Sequence, residues 1–500
     1  MITIKNLLET NKNLLEINAN LKKELAEVKL NNAYLLEQFK LAQQNRFAPS
    51  SESNIHQLNF FDEAGIENES DSEKTDTLEI KSYQRKKHPV RKPIPDYLPR
   101  EQIIYDIKEE EKTCTCGKHL IRIGEKITEQ YKFIPAQLSV IQHVRYKYAC
   151  KPCQETVRIA NMPILLLPKT NATPELVAHT IISKYADQIP LYRQSKIWNR
   201  VDIDFPRSTL CSWLMATADL CGPLVNLSYK NLLKESYIQA DESHVQVLKE
   251  SGRSNTSKSY LWVYRGGGIV IFDYCETRGG YHAQNFLQNF KGYLQTDAYS
   301  GYHFVDKNQH IIHGGCMAHA RRPFAQLAKL SKKEGLALKA IQYFKKLYEI
   351  ESHAKEHKLT HDERFILRNE KAPIILAEFK DWLLQHITKV PKQHQLGKAI
   401  FYVLNHWEAL TNYLQDGRIE IDNNKIENLI RPLALGRKNF LFMGSPRGAK
   451  AAAIYYSLIA TCIENKVDPY KYFCTMLHQI RLCKTEADYQ KLLPQNILLE

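Results

Sequence analysis

At the amino terminus an apolar residue recurs every seven positions, at Leu7, Leu14, Leu21, Val28 and Leu35, the spacing of one seam of a coiled coil. With these at d, the a positions are Ile4, Asn11, Asn18, Leu25, Asn32 and Phe39. Asparagine at a weakens a zipper but fixes its register and favours two parallel strands. Residues 1–46 therefore predict a dimerising helix, although a helix packed on its own chain would show the same stripe. Residues 173–215 read as short helices: Thr173-Pro174-Glu175 is a start signal, Pro190 breaks the pattern, and Pro206-Arg207-Ser208-Thr209 starts it again. That layout fits a helix-turn-helix arrangement or a plain helical packing unit.

The pattern changes after Glu235. Tyr237–Asp241 alternates, Tyr260–Tyr264 and Ile269–Tyr274 are strand-like, His282–Phe290 is helix-like, and Tyr293–Asp297 alternates again. Three strands, a helix and a fourth strand, with an aspartate closing the first and the fourth, is the order of the ribonuclease-H-like fold. There the first and fourth strands lie side by side, so Asp241 and Asp297 would be neighbours. From Arg322 to Gly417 the period is helical: Ala340, Tyr343, Phe344, Leu347 and Tyr348 form one stripe, Leu376, Phe379 and Leu383 another.

Composition narrows the partners. The chain has 500 residues, 43% of them apolar, and a formal net charge of +14. That excess points to an anionic partner, nucleic acid first. No run of 18 apolar residues appears and the first thirty residues are polar, which argues for a cytoplasmic protein with no membrane partner. Residues 51–80 hold nine acidic residues and one basic, residues 81–100 seven basic and one acidic. Such a stretch buries no core and reads as a linker. Its basic half, Arg85-Lys86-Lys87-His88 with Arg91-Lys92, would either neutralise phosphates or simply be solvated. Eleven cysteines are too sparse for a disulfide scaffold. Cys114 and Cys116, with Cys150 and Cys153, make two knuckle-like pairs around a strand-like region, Leu138–Tyr148. Together they suit one structural Zn2+. The first pair has a one-residue spacer, and His119 would be an alternative to Cys114.

Chemistry concentrates in Asp422-Asn423-Asn424-Lys425-Ile426-Glu427-Asn428, which runs through Arg431-Pro432 into Leu435-Gly436-Arg437-Lys438-Asn439. It sets an acid on a short helical stretch among cations. With Gln295-Thr296-Asp297-Ala298-Tyr299-Ser300-Gly301-Tyr302, Gly315-Cys316-Met317-Ala318-His319-Ala320-Arg321-Arg322, Ala240-Asp241-Glu242 and Tyr455-Tyr456-Ser457-Leu458, the chain resembles transposases of the insertion-sequence-66 family along nearly its whole length. Asn428 stands where that family would lead one to expect an arginine.

The resemblance implies Asp241, Asp297 and Glu427 as an acidic triad holding two Mg2+ or Mn2+ ions, since hard cations take oxygen ligands. Arg431, Arg437, Lys438, Arg447 and Lys450 would contact the DNA backbone. Glu242 and Asp422 are competing acids read as structural, Glu242 pointing to the opposite strand face and Asp422 capping a helix. Cys316 and His319 match a cysteine-and-histidine signature, and a core cysteine with a satisfied histidine is the plainer reading.

The expected fold class is a multidomain α+β protein. Its parts would be a leucine-zipper coiled coil (1–46), a charged linker (47–100), a zinc-finger-like domain (101–165) and a helical, helix-turn-helix-like DNA-binding region (166–232). A ribonuclease-H-like catalytic domain (233–323 and 418–465) would be split by a helical insertion (324–417) and followed by a C-terminal helical extension (466–500). Partners would be terminal inverted repeats and target DNA, a second copy or higher oligomer, and accessory proteins of the same element. The alternatives are a nuclease without strand transfer, or a non-catalytic zinc-bearing regulator.

Overall fold

The computed structural model describes residues 138–149, 157–330 and 335–499, with scattered residues between positions 11 and 39. The charged linker and Cys114, Cys116, Cys150 and Cys153 lie outside the described residues. Every described residue between 11 and 39 is helical. Along that helix Leu14, Leu21, Leu25, Val28, Leu35 and Phe39 are 54–61% exposed, so the heptad stripe faces water in the single chain.

Residues 70–163 form a compact unit of their own. In it β1 (Lys147–Ala149) pairs antiparallel with β2 (Val157–Ile159). The strand expected over Leu138–Tyr148 is thus reduced to its last residues. Residues 138–146 carry no strand, because a three-residue partner offers them no ladder.

The main body begins with α1 (Pro174–Tyr185), α2 (Leu191–Asn199) and α3 (Arg207–Leu232). The start signals act as read: Thr173 accepts a hydrogen bond from the Leu176 N–H, and Pro190 and Pro206 sit at the N-caps of α2 and α3. Helix α3 is long and apolar enough to cross a membrane by length and composition. Here it is a core helix, burying Leu210, Trp213, Leu214, Cys221 and Leu224.

Five strands follow: β3 (Tyr237–Gln246), β4 (Lys258–Gly266), β5 (Ile269–Cys275), β6 (Gly292–Gln295) and β7 (Ile311–Gly314), with α4 (Gly280–Phe286) between β5 and β6. The sheet order is β5-β4-β3-β6-β7. The β3–β4 and β4–β5 pairs are antiparallel, β3–β6 and β6–β7 parallel. The β3–β6 pairing starts with Tyr237 against Tyr293; at the preceding Gly292, a φ of 139° and close approach to the Ser236 carbonyl leave no room for a Cβ. One expectation changes: Asp241 does not end its strand. The strand continues five residues past it, because β4 pairs with it as far as Gln246 against Lys258.

Alternation along the strands divides the core. Val245, Val247, Leu261, Val263, Val270 and Phe272 pack in one cluster with α1, α3 and residues of α10 (Asn424–Phe440), α11 (Pro446–Glu464) and α12 (Pro469–Gln479). Ile238, Ala240, Trp262, Tyr264, Ile269 and Ile271 pack on the opposite face with Ala283, Leu287, Tyr302 and Val305. The segments expected as a helix-turn-helix-like region and a C-terminal extension therefore share the core of the sheet.

A second, wholly helical core holds α5 (Met317–Leu330), α6 (Leu336–Glu356), α7 (His361–Ile387) and α8 (Gln395–Asn405), with the short α9 (Trp407–Thr411) closing it. It also takes in Ile419 and Ile421, so the helical body reaches beyond 324–417 at both ends. At its centre the fully buried Arg368 donates to both Glu351 carboxylate oxygens and to the carbonyls of Tyr413, Asp416 and Ile419. Arg364 bridges Glu351 to Glu420 at 2.6 and 2.8 Å. Facing Arg364 and Lys425, the Glu420 carboxyl is held down at about 2 against its own burial.

Removing one partner of a buried charge network is costly, because the remaining polar groups stay buried. Arg368→Met should destabilise the fold by about 3–5 kcal/mol, whereas Lys346→Ala, which breaks an exposed 4.0 Å pair with Glu378, should cost under about 1 kcal/mol. Denaturant unfolding of the two variants measures the difference, and equal losses would mean that Arg368 braces nothing.

Candidate active site

Two buried glutamines set the geometry. Gln239 and Gln295 are register partners across the parallel β3–β6 pair, and the Gln239 amide donates to Gln295 Oε1 at 3.1 Å. Gln295 Nε2 donates to the carbonyls of Glu420 at 2.8 Å and Gly315 at 3.1 Å, and Gln239 Nε2 to that of Asp422 at 3.3 Å. The strand pair thereby grips the loop that leads into α10. Each glutamine lies two residues before an aspartate, so Asp241, in mid-strand, and Asp297, just past the end of β6, stand at the same level and on the same side.

Loop 420–423 is fastened from two further directions. Asn423 is fully buried; its side chain donates to the Ala240 carbonyl at 3.2 Å and its N–H to Cys316 Sγ at 3.2 Å. The Tyr348 hydroxyl, from α6, donates to Asp422 Oδ2 at 2.8 Å. Asp422 also accepts from the Asn424 N–H at 3.0 Å. The residue at the N-cap is Asn423, without a side-chain cap, so Asp422 braces the helix from one position earlier than expected. Glu427 then falls in the first turn of α10, 6% exposed, where the helix dipole favours a negative charge.

Asp297 and Glu427 lie near enough for their charges to act on Asp241. Burial raises the Asp241 carboxyl well above its ordinary range, and the negative charges of Glu242, Asp297 and Glu427 raise it further. Glu242 belongs to the other face: it accepts from Arg278 at 2.5 and 2.8 Å and from the Tyr302 hydroxyl at 3.0 Å. The Arg278 guanidinium lies 3.8 Å above the Tyr299 ring. Glu242 is therefore occupied, which leaves Asp241 and Asp297, with Glu427, as the candidate metal-holding acids.

Next to Glu427 stands His319, its Nδ1 3.6 Å from the carboxylate, and Arg322 Nη2 lies at 4.0 Å. Burial, then the Arg322 charge, holds the imidazole down at about 4, so at neutral pH this is a neutral ring against a carboxylate. The reading of His319 as a satisfied core histidine is corrected: among the described residues its Nδ1 accepts or donates no hydrogen bond. Cys316 is a core cysteine, as expected, with its thiol pushed up by burial. Cys316, His319 and Glu427 offer ligand atoms within 4.8 Å of one another. That set is softer than the three carboxylates, which suit a hard divalent cation. As an all-oxygen donor set Asp241, Asp297 and Glu427 would suit Mg2+ or Mn2+, whereas the described residues whose ligand atoms already lie within 4.8 Å of one another are Cys316, His319 and Glu427.

The cations expected at DNA are placed unevenly. Lys438 and Lys450 are exposed; Arg447 is exposed and pairs with Asp219 at 2.7 Å; Arg437 is partly buried and donates to the His244 carbonyl; Arg431 is partly buried. Sequence reasoning passed over Gln239, Gln295, Asn423, Tyr348 and Arg368. A signal for the first two was present in the repeated pattern Gln239-Ala240-Asp241 and Gln295-Thr296-Asp297.

Comparison with known proteins agrees with this geometry. Residues 169–451 match the model of the transposase IS66 family. Residues 111–154 match the zinc-finger binding domain of transposase IS66, 34–103 the model described as transposase C of IS166 homeodomain, and 457–495 the IS66 C-terminal element. Similar chains occur in Sinorhizobium fredii (strain NBRC 101917 / NGR234). The uncharacterized protein y4hP is 31% identical over 431 residues, 81% of this chain and 76% of that one. The uncharacterized protein y4jD is 31% identical over 420 residues, 81% of each. A family match over more than half of the chain, reaching both Asp241 and Glu427, closes the question of kinship: this protein belongs to the IS66 family of insertion-sequence transposases.

Proposed function

We propose that the chain binds the terminal inverted repeats of its element, cuts DNA at their ends and joins the 3′-hydroxyls to target DNA, with Asp241, Asp297 and Glu427 as the metal-holding residues. The observation that carries this reading is the position of Asp241, buried and within electrostatic reach of Asp297 and Glu427, beside a strand pair whose buried amides hold the loop leading to Glu427. The strand order, antiparallel on one side of β3 and parallel on the other, supports a ribonuclease-H-like catalytic domain. Two Mg2+ or Mn2+ ions held there would supply activation of a water or a 3′-hydroxyl and stabilisation of the leaving oxygen. The residues of the chain hold and orient: Gln239 and Gln295 fix the level of the aspartates, and Asn423 and Tyr348 fix the helix that carries Glu427. Arg322 and His319 border the site, where a cation and a neutral imidazole would contact a phosphate. The cytoplasm is the compartment in which such an enzyme meets its DNA.

The test is to incubate the full chain with labelled element ends and Mg2+, then map the broken phosphodiester and supply pre-cut ends with a second DNA. Asp241→Asn, Asp297→Asn and Glu427→Gln should each abolish cutting while DNA binding persists; normal cutting by one of them would remove that residue from the cluster. Cutting without joining would leave a nuclease.

The amino-terminal half would serve assembly and docking. We read the exposed heptad stripe as the seam of a two-stranded coiled coil, and Cys114, Cys116, Cys150 and Cys153 as ligands of one Zn2+. Deleting residues 1–40 should lower the mass seen by light scattering, and Cys150→Ser should release zinc in elemental analysis, since such sites draw folding free energy from the ion. An unchanged mass or a zinc-free wild type would overturn the respective reading.

A further inference from the structure

The residue after α10 holds a backbone conformation that a leucine rarely adopts. Leu441 has φ 60° and ψ −53°, and the Phe442 N–H donates to the Phe440 carbonyl at 2.6 Å. This is the left-handed γ-turn, rare and strained, and for a bulky side chain such a positive φ is an outlier. Strain of this kind persists only where the surroundings impose it, and it gathers at functional positions. Here the surroundings do impose it. On one side the Leu441 N–H closes onto the Arg437 carbonyl at 3.0 Å. On the other, Met443 is buried and bridges Val247, donating to the Gln246 carbonyl and accepting from the Leu248 N–H, both at 2.9 Å.

The strain serves no packing. Leu441 is 66% exposed and Phe442 46%, so the turn holds two large apolar side chains out in water. Lys438 is exposed on the helix before them and Lys249 one residue past Leu248, while Arg447, exposed after them, pairs with Asp219. The Lys184 ammonium, held down at about 8 by burial, lies 4.7 Å over the Phe440 ring behind this edge. Glu250, just past Lys249, is buried and satisfied by Arg253, Ser259 and Tyr274. An apolar tip in a basic rim is complementary to duplex DNA, where leucine and phenylalanine wedges enter base steps while cations hold the phosphates.

We propose that Leu441 and Phe442 form a wedge that enters a base step of the bound duplex and unstacks it close to the bond being cut. The proposal rests on the transposase reading, and the helix supplies its reach. Glu427 and Phe440 stand at opposite ends of α10, about 20 Å apart at helical rise. That corresponds to roughly six base pairs of duplex, so the wedge acts within that distance of the site. Unstacking there bends the duplex and lets more of it lie against the basic edge.

The experiment uses the full chain and element-end duplexes carrying 2-aminopurine at one position at a time on either side of the cut. Wild type should raise the fluorescence several-fold at one step, and the double variant Leu441→Ala, Phe442→Ala should lose the rise. A mismatch built into that step should restore the double variant's binding, because the unstacking is then already done. Leu441→Gly, which suits a positive φ, should keep or raise the melting temperature and still lose the signal. Cutting by wild type with no step responding, or a rise that survives in the double variant, would overturn the wedge alone. A change of mass in the DNA-free double variant would reassign the tip to a protein contact and overturn it too. If wild type neither binds nor cuts element ends, the transposase reading falls and takes the wedge with it.

Discussion

The structure depends on one pairing, the parallel register of Gln239 against Gln295 between β3 and β6. Both side chains are fully buried, so each amide must find partners or lose several hydrogen bonds in a dry interior. They find them in each other and in the carbonyls of the loop before α10. Satisfying these two amides therefore fixes three things at once: the level of Asp241, the level of Asp297, and the path of the chain that presents Glu427. Hydrophobic burial alone would hold the sheet together without specifying that loop.

The helical body between the second aspartate and Glu427 then acts as a brace. Its contribution is electrostatic as well as apolar. Arg368 and Arg364 meet Glu351 and reach across to the carbonyls of residues 413–419 and to Glu420, while Tyr348 reaches Asp422. Roughly a hundred intervening residues thus return the chain to the sheet at a defined point. Arginines compensate charge where it is structural, Arg278 at Glu242 and Arg364 at Glu351 and Glu420. At the cluster, Asp241 instead faces three like charges, which keeps that site receptive to a cation from solution.

Much of this was legible in the residues. Alternation located β3 and β6, and strand-like apolar runs located β4 and β5, because strands covered on both faces are apolar at successive residues. The helical stripes of α6 and α7 were visible for the same reason, and Thr173, Pro190 and Pro206 marked real helix starts. What was not legible was tertiary. Nothing local says that Asp241 sits in mid-strand, since the end of a strand is set by its partners. Helices α1 to α3 and α12 read as separate pieces, yet they complete the core of the sheet, because an amphipathic stripe does not name the surface it meets. His319 looked inert because its neighbour Glu427 is more than a hundred residues away in sequence. Gln239, Gln295 and Arg368 are polar residues that sequence patterns place on surfaces, and their burial is a property of the assembled fold.

The central claim is that three carboxylates are held together against their own repulsion in order to bind a cation. Melting temperature with and without Mn2+ tests it most directly, on wild type and Asp241→Asn. Relief of like-charge burial should make the metal-free variant melt higher than metal-free wild type, and Mn2+ should stabilise wild type but not the variant. A variant that melts lower without metal, or that keeps the full Mn2+ stabilisation, would contradict the account.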